Sequence, residues 1–195
     1  LKDSGTERLI YGDEFVETVA DLHSRGDKTD ISQWLQVPGE QEMAYFSADY
    51  QAFRDAGGVE EPPVGGCDDD MLYIMYTSGT TGAPKGILLT HANLIANNQS
   101  IIEYLELSES DRVLAVLPFH YSYGNSVLHT HLAVGATVVL GPSMAYLQEV
   151  INALRSKRIT GFSGVPSTFV MFTQKTDWAD DPGALRYVTQ AGGAM

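Results

Sequence analysis

The second half of the chain alternates short apolar runs with amphipathic segments, and this alternation restricts the fold more than any other feature. Four runs predict strands, at residues 112–119, 136–140, 160–163 and 185–189. Runs that are apolar at consecutive positions are typical of strands buried on both faces of a parallel sheet. Strands that alternate with helices predict an α/β fold with a mostly parallel, doubly wound sheet and flanking helices.

The segments between these runs have the spacing of helices. Thr90 is predicted to cap a helix over residues 91–105, because a threonine side chain accepts a hydrogen bond from the first turn. Residues 123–134 and 146–158 follow the same helical spacing, and Pro166 is predicted to open a further helix.

The first third of the chain is less regular. Residues 8–11 predict a strand and residues 14–23 a helix, whereas glycines, prolines and acidic residues interrupt the pattern between residues 25 and 70. One short helix is expected there, at residues 48–56. We therefore predict two parts: residues 1–66, a remnant of a preceding αβ subdomain plus a connecting region, and residues 67–195, an α/β subdomain truncated at its C-terminus.

Composition narrows the functional classes. The 195 residues are 44% hydrophobic, which is enough for a sizeable core, and 25 acidic against 12 basic residues leave a net charge of −13. That charge argues against nucleic-acid and anionic-membrane partners. The single cysteine, Cys67, excludes an intrachain disulfide and fits a reducing cytoplasm, and no apolar run approaches the roughly twenty residues of a membrane span. The start at Leu1 and the end within GGAM indicate an excised piece of a longer protein.

A hydroxyl- and glycine-rich stretch, YTSGTTGAPKG at residues 76–86, follows the apolar run 71–75. Glycines let several backbone N–H groups point at one spot, and hydroxyls and an ammonium add donors there, so the stretch predicts a phosphate cradle. A plain hairpin turn is the alternative, but such a turn needs neither four hydroxyls nor a lysine. A Walker-type loop is rejected, because Lys85 is followed by Gly86 and a strand-like run rather than by Ser or Thr at a helix start.

This loop, followed by LLTHANL at residues 88–94, resembles the signature of the adenylate-forming superfamily, which includes acyl-CoA synthetases, peptide-synthetase adenylation domains and luciferase-type enzymes. The resemblance continues in order from about residue 69 and is most like an acyl-CoA ligase. It implies that a carboxylate attacks ATP in the presence of Mg²⁺, and that coenzyme A then takes the acyl group. Thr77 and Lys85 would be catalytic, with Thr77 also on the magnesium side. The implied ATP-binding residues of the loop are Thr77, Ser78, Gly79, Thr80, Thr81, Gly82 and Lys85.

The segment LPFHYSYG resembles the family segment in which an aromatic residue or a histidine flanks the acyl carboxylate. The resemblance implies a catalytic and substrate-binding role for His120, and substrate contacts for Tyr121 and Gly124. The family often has one more residue after the proline, and a structural histidine is the alternative reading. His129 and His131, two apart on a predicted helix, face different directions and are predicted to be core or surface residues rather than a metal pair.

Two later turns resemble binding segments of the same family. Gly164 and Val165 would help line the acyl pocket, although a strand-to-helix turn explains them as well. The run Gly192, Gly193 and Ala194 would lie along the adenine and the carboxylate, although paired glycines also suit an ordinary turn.

The resemblance also implies parts that would lie beyond Met195: a tyrosine- and glutamate-bearing motif, a ribose-binding aspartate and a C-terminal domain with a catalytic lysine. Negligible adenylating activity is therefore expected of these residues alone. An amino-acid-adenylating domain and a non-catalytic binding or assembly module of the same fold remain alternatives. The apolar and aromatic pocket candidates favour a fatty or aryl acid as substrate, and the oligomeric state stays open.

Overall fold

The structure is a computed structural model that describes residues 4–25, 30–57, 65–77, 84–175 and 181–193. Close contacts group the chain into two compact units, Leu1–Gly66 with Tyr76–Ile87, and Cys67–Met75 with Leu88–Met195. The domain boundary between residues 66 and 67 and the truncation of the second subdomain stay predictions. No helix among the described ranges is long and apolar enough to cross a membrane.

In the first unit, three parallel strands form a sheet in the order β1-β2-β3. They are β1 (Arg8–Tyr11), β2 (Gln33–Gln36) and β3 (Ala48–Asp49), with helices α1 (Val16–Ser24) and α2 (Tyr50–Asp55). The predicted strand and both predicted helices are confirmed, and the Asp49 side chain caps α2 by accepting from Ala52 N–H. The sequence does not predict β2 or β3. In β2, the glutamines at both ends of QWLQ leave no continuous apolar run and no clear alternation that would indicate a strand.

The remaining elements begin with two paired strands, β4 (Met71–Thr77) and β5 (Lys85–Thr90). A four-stranded parallel sheet follows, in the order β7-β6-β8-β9. Its strands are β6 (Arg112–Ala115), β7 (Thr137–Leu140), β8 (Gly161–Gly164) and β9 (Tyr187–Gln190), and the helices are α3 (His91–Leu105), α4 (Ser122–Ala133), α5 (Leu147–Ser156) and α6 (Pro166–Lys175). The α/β prediction is confirmed, although the described strands form three sheets instead of one.

The strand order shows where this sheet can bind a ligand. From β6 the chain runs outward to β7 and then returns to the other side of β6 to form β8 and β9. Ligands of such sheets bind beyond the carboxyl ends of the strands, where the order reverses. In this sheet the order reverses between β6 and β8, so a ligand is expected beyond the carboxyl ends of these two strands.

The hydrophobic core of the second unit holds α5 and α6 against the sheet. Leu114, Val150, Leu154 and Phe162 belong to one buried cluster, in which Phe162 stacks on Phe172 with 5.3 Å between ring centroids. The apolar stripe predicted for α5 is therefore the face that the helix buries.

Helix α3 begins and ends where the sequence predicts. The Thr90 hydroxyl accepts a hydrogen bond from Asn93 N–H at 3.2 Å, and Asn93 Oδ1 accepts one from Thr90 N–H at 3.1 Å. This reciprocal pair satisfies two of the N–H groups that a helix start leaves unpaired. The helix ends at Glu106, which adopts the left-handed conformation with φ of 53°.

Strand β6 is shorter than the predicted run 112–119. It ends at Ala115, and Pro118, which lacks an N–H, follows in the turn toward α4. The Pro118 carbonyl oxygen accepts a hydrogen bond from Tyr121 N–H at 3.2 Å. The apolar run therefore leaves the sheet early and places His120 and Tyr121 in a turn at its carboxyl end.

Candidate functional site

The two ends of the predicted phosphate loop lie on paired strands. Thr77 is the last residue of β4 and Lys85 the first residue of β5, and both side chains are exposed. The intervening loop predictions, Ser78, Gly79, Thr80, Thr81 and Gly82, lie outside the described residues. The structure thus anchors the loop at both ends and leaves Thr77 and Lys85 accessible to a ligand.

The predicted magnesium contact of the loop depends on one hydroxyl group, that of Thr77. Mg²⁺ prefers oxygen ligands, and in nucleotide sites it is held by one or two carboxylates together with the phosphates. Thr77 supplies a suitable oxygen, but in the part of the chain that the structure describes no group of three His, Cys, Asp or Glu residues could hold a metal. Thr77 therefore fits as one magnesium contact, and that contact stays a prediction.

His120 and Tyr121 lie in the turn between β6 and α4, at the carboxyl end of the sheet. Both are exposed, and their rings lie 4.4 Å apart at an angle of 42°. The Tyr121 carbonyl accepts from Asn125 N–H at 2.9 Å, which begins α4 directly after the turn. Backbone hydrogen bonds therefore fix the turn on which the two residues lie, and their side chains are exposed to solvent.

Gly124 is buried in the first turn of α4 and has a structural reason to be glycine. A Cβ atom built there would overlap the Pro118 carbonyl oxygen and would lie 3.0 Å from the Leu117 carbonyl oxygen. The helix therefore approaches the backbone of the preceding turn more closely than any side chain allows. This packing role stands beside the predicted substrate contact, which stays a prediction.

We expect Gly124→Ala to destabilise the protein by about 1–3 kcal/mol, because the added methyl group meets backbone atoms that cannot rotate away. Chemical denaturation of the full-length protein measures this loss. Ala133→Gly at the end of the same helix serves as the matched control and costs about 1 kcal/mol or less. An unchanged unfolding midpoint for Gly124→Ala would show that α4 does not need this close approach.

The ends of β8 and β9 bring the other predicted binding segments together. Ala191 N–H donates to the Gly164 carbonyl at 3.4 Å. Gly192 has a φ of +88°, a backbone conformation that residues with a side chain rarely adopt. A Cβ atom added to Gly192 would lie 3.5 Å from Val165 Cγ1. Gly193 in turn lies close to Pro166. Gly164, Val165, Gly192 and Gly193 thus lie near one another at the strand ends, while Ala194 lies outside the described residues.

A cavity of about 460 Å³, here called the outer chamber, opens beside Ala191, the residue before Gly192. It lies between β4, β5 and the beginnings of α3 and α4. Its lining includes Tyr73, Met75, Leu89, Asn97, Tyr123 and Ala191. None of the described side chains that line it is charged, so the outer chamber suits the uncharged part of a ligand.

A second cavity of about 110 Å³, the inner chamber, lies between α3, α4 and the strands β8 and β9. The two chambers share Asn97, Tyr123 and Ser126, so they adjoin. The inner chamber combines apolar side chains, such as Ile101 and Val127, with a group of hydroxyls.

Three hydroxyls form a cluster in the wall of the inner chamber. Tyr123 Oη lies 2.6 Å from Thr189 Oγ1, and Ser163 Oγ lies 2.8 Å from the same atom. Ser163 and Thr189 are direct partners on β8 and β9, so the parallel pairing places them side by side. Burial raises the pKa of Tyr123, which keeps this phenol neutral.

The buried His131 and the half-buried Tyr187 form a second polar pair in the same chamber. His131 Nδ1 lies 2.7 Å from the carbonyl oxygen of Val127. A carbonyl oxygen can only accept a hydrogen bond, so Nδ1 carries the proton. Nε2 therefore accepts the hydrogen bond from Tyr187 Oη, at 2.5 Å. Burial lowers the pKa of His131 and raises that of Tyr187, so both side chains are neutral at pH 7.

Sequence reasoning missed this chamber. The sequence predicts His131 to be a core or surface residue, and it gives no indication of a role for Thr189 or Tyr187. One signal was available: Tyr123, Val127, Thr130 and His131 lie at i, i+4, i+7 and i+8 on α4 and therefore share one helix face. The partners on β8 and β9 had no such signal, because only strand pairing brings them to that face.

Comparisons with known proteins agree with these features. A family model described as AMP-binding enzyme matches residues 1–195. A feruloyl-CoA synthase from Amycolatopsis is 33% identical over 196 residues, which cover 98% of this chain and 35% of that protein. An indoleacetate–CoA ligase from Aromatoleum aromaticum is 37% identical over 145 residues, which cover 72% of this chain and 28% of that protein.

A solved structure shows the same fold. The inhibitor-bound N-terminal domain of FACL13 from Mycobacterium tuberculosis matches with a TM-score of 0.86 and 27% identity, over 100% of this chain and 47% of that one. The chain spans about a third of the length of the curated relatives that it matches.

Proposed function

Because the chain belongs to the AMP-binding enzyme family, we propose that the whole protein is an AMP-forming acid–thiol ligase. It activates a carboxylic acid with ATP to an acyl adenylate and transfers the acyl group to coenzyme A. The observation that carries this proposal is the uncharged cavity beside Ala191 at the carboxyl ends of the parallel strands, where α/β sheets bind their ligands.

The chemistry has two steps. A carboxylate oxygen of the acid bonds to the α-phosphorus of ATP, and the bond to pyrophosphate breaks. The thiol sulfur of coenzyme A then attacks the acyl carbon, AMP leaves, and a thioester forms. Mg²⁺ bound to ATP supplies charge neutralisation at the phosphates when present.

The residues of this chain have separate tasks in that scheme. Lys85, the hydroxyl of Thr77 and the backbone of residues 78–82 stabilise the charge of the departing pyrophosphate. His120 and Tyr121 flank the reacting carboxylate, and Gly124, Gly164 and Val165 border the acyl group. The backbone of residues 192–194 lies along the adenine. Support for these roles comes from the exposed positions of Thr77, Lys85 and His120 and from the position of Val165 beside Gly192.

The lack of acidic side chains in the described lining of both chambers disfavours the amino-acid-adenylating alternative. An amino acid brings an α-ammonium group into the site, and an ammonium that leaves water needs a carboxylate or several acceptors around it. The described side chains that line the outer and inner chambers include no aspartate and no glutamate. An acid without an ammonium group is therefore the better-supported substrate. Dependence on ATP and coenzyme A, with a single cysteine in the sequence, supports action in the cytoplasm.

ATP–pyrophosphate exchange with the full-length protein tests this function. We expect exchange that depends on an added aryl or aliphatic acid, and release of AMP with loss of free thiol when coenzyme A is added. Proline and phenylalanine are the amino-acid controls and should support little exchange. Residues 1–195 alone are expected to give negligible exchange. Exchange with the amino acids alone, or none with any acid, would contradict the proposal.

A further inference from the structure

We propose that Gln190 is a positioning residue for nucleotide binding, and that its side-chain amide holds the Gly192–Gly193 turn in the conformation that receives the adenine of ATP. This inference rests on the proposed function, which assigns the backbone of residues 192–194 to the adenine. It deepens that function, because it identifies the side chain that prepares this part of the site before the nucleotide binds.

Gln190 lies on the face of β9 that is turned away from α4. Successive side chains of a strand point to opposite faces of the sheet. The Thr189 hydroxyl lies 2.6 Å from the hydroxyl of Tyr123 on α4, so Thr189 faces that helix. Gln190 is the next residue and the last of the strand, and it is half-buried. Its side chain therefore reaches the glycine turn from the side of the sheet opposite to α4.

The amide of Gln190 binds the backbone of the turn directly. Gln190 Nε2 donates a hydrogen bond to the carbonyl oxygen of Gly193 at 2.6 Å. Among the described residues, neither Gly192 nor Gly193 takes part in a backbone–backbone hydrogen bond, and Ala191 N–H reaches the preceding strand only at 3.4 Å. The short bond from the side chain is therefore what fixes the direction of the Gly193 carbonyl.

Two consecutive glycines give this restraint its effect. Glycine adopts positive and negative φ with similar ease, so a glycine pair loses much conformational freedom when it is ordered. A Cβ atom added to Gly193 would lie 3.2 Å from Pro166 Cγ, so the turn also lies against the start of α6. A turn that is ordered in advance binds a ligand more tightly, because binding no longer has to order it. Without the amide of Gln190, part of that ordering falls to the nucleotide.

The restraint should act on one end of the nucleotide. In the proposed function the adenine lies along residues 192–194, whereas the phosphates are assigned to Thr77, Lys85 and the backbone of residues 78–82. Loss of the Gln190 amide should therefore weaken ligands that carry adenine and leave the binding of a bare polyphosphate unchanged. A general loss of stability would weaken both.

Calorimetric titration of the full-length protein with AMP and with inorganic tripolyphosphate measures the two ends separately. Gln190→Met keeps the length of the side chain and removes the N–H donor. We expect its dissociation constant for AMP to rise about 5-fold, which is the effect of losing one typical hydrogen bond. Its dissociation constant for tripolyphosphate should stay within about 2-fold of the wild type.

ATP–pyrophosphate exchange gives a second readout that a merely structural role would not move. In Gln190→Met, KM for ATP should rise about 5-fold, whereas kcat and KM for the acid stay within about 2-fold. Gln190→Glu also lacks the N–H donor and should show the same pattern. Gln148→Met is the matched control, because Gln148 is exposed on α5 and donates only to Asn152, at 3.3 Å, among the described residues. It should change none of these constants by more than about 2-fold.

The outcomes separate this inference from the proposed function. An unchanged affinity for AMP in both Gln190 variants, or equal losses for AMP and tripolyphosphate, overturns the inference while the ligase activity stands. No exchange by the wild type with any acid overturns the ligase itself. If Gln190→Met does not fold, as judged by its unfolding midpoint, the constants of Gln190→Glu decide.

Discussion

Replacing Lys85 with alanine in the full-length protein should lower kcat/KM for adenylation by about 100-fold or more, with a much smaller effect on thiol transfer. Lys85 begins β5 at the end of the phosphate loop and is exposed, so its ammonium can reach an anionic ligand. Charge builds up on the departing pyrophosphate only in the first step. Loss of a cation that acts there slows that step selectively, and combining the change with Thr81→Ala should deepen the loss.

The two half-reactions can be measured separately. Adenylation is followed by ATP–pyrophosphate exchange, and transfer by thioester formation from a preformed acyl adenylate and coenzyme A. Lys157→Ala removes the same charge from an exposed residue after α5 and should leave both rates within about 2-fold. Equal losses in both half-reactions of Lys85→Ala would argue against a specific role at the phosphates.

The second large effect is expected on stability, at Asp111. This carboxylate is 2% exposed and accepts hydrogen bonds from Ser108 N–H at 2.9 Å, Thr160 Oγ1 at 2.8 Å and Arg186 Nη2 at 2.8 Å. Arg186 also donates to the carbonyl oxygens of Leu105 and Glu106, at 2.7 and 3.2 Å. The network ties the end of α3 to the amino ends of β6, β8 and β9.

We expect Asp111→Ala to lower the free energy of unfolding by about 3 kcal/mol. Removing one partner of a buried ion pair costs about 3–5 kcal/mol, and we take the low end because the Arg186 side chain is 41% exposed and water can solvate it. Urea unfolding of the full-length protein measures the change. Asp55→Ala removes an exposed pair with Arg54 and should cost about 0.5 kcal/mol or less.

The contribution of Asp111 should also depend on pH in a defined direction. Burial alone raises the pKa of Asp111, but hydrogen bonds from Arg186, Ser108 and Thr160 outweigh it and hold the pKa below its ordinary value of 3.8. A carboxyl whose pKa is lower in the folded state stabilises the protein above its unfolded pKa, and this stabilisation is lost as pH falls through the folded pKa. The difference between the wild type and Asp111→Ala should therefore be constant above pH of about 5 and shrink below 4. A difference that grows toward acid pH would contradict this assignment.

Local features of the sequence were sufficient for several elements. The bounds of α3 follow from Thr90 and its cap, and the buried face of α5 follows from apolar residues at helical spacing. Both depend on interactions within about one helical turn, which neighbouring residues specify. The ends of β6 and the existence of β2 and β3 were not predictable in this way. Strand β6 ends at Ala115, before the apolar run does, and Gln36 of β2 is buried in a sheet whose other strands come from separate segments of the chain.

The sequence by itself determined the α/β class and the parallel strands, because both depend on periodicity within short stretches. It also predicts the phosphate loop with Thr77 and Lys85 from the residue types of one stretch, and that role stays a prediction. The tertiary structure alone decided the inner chamber. Ser163 and Thr189 are 26 residues apart, Tyr123 and Thr189 are 66 apart, and His131 and Tyr187 are 56 apart. Their hydroxyls and ring nitrogen meet only because β8 pairs with β9 and α4 packs nearby, and no local pattern encodes a contact of that range.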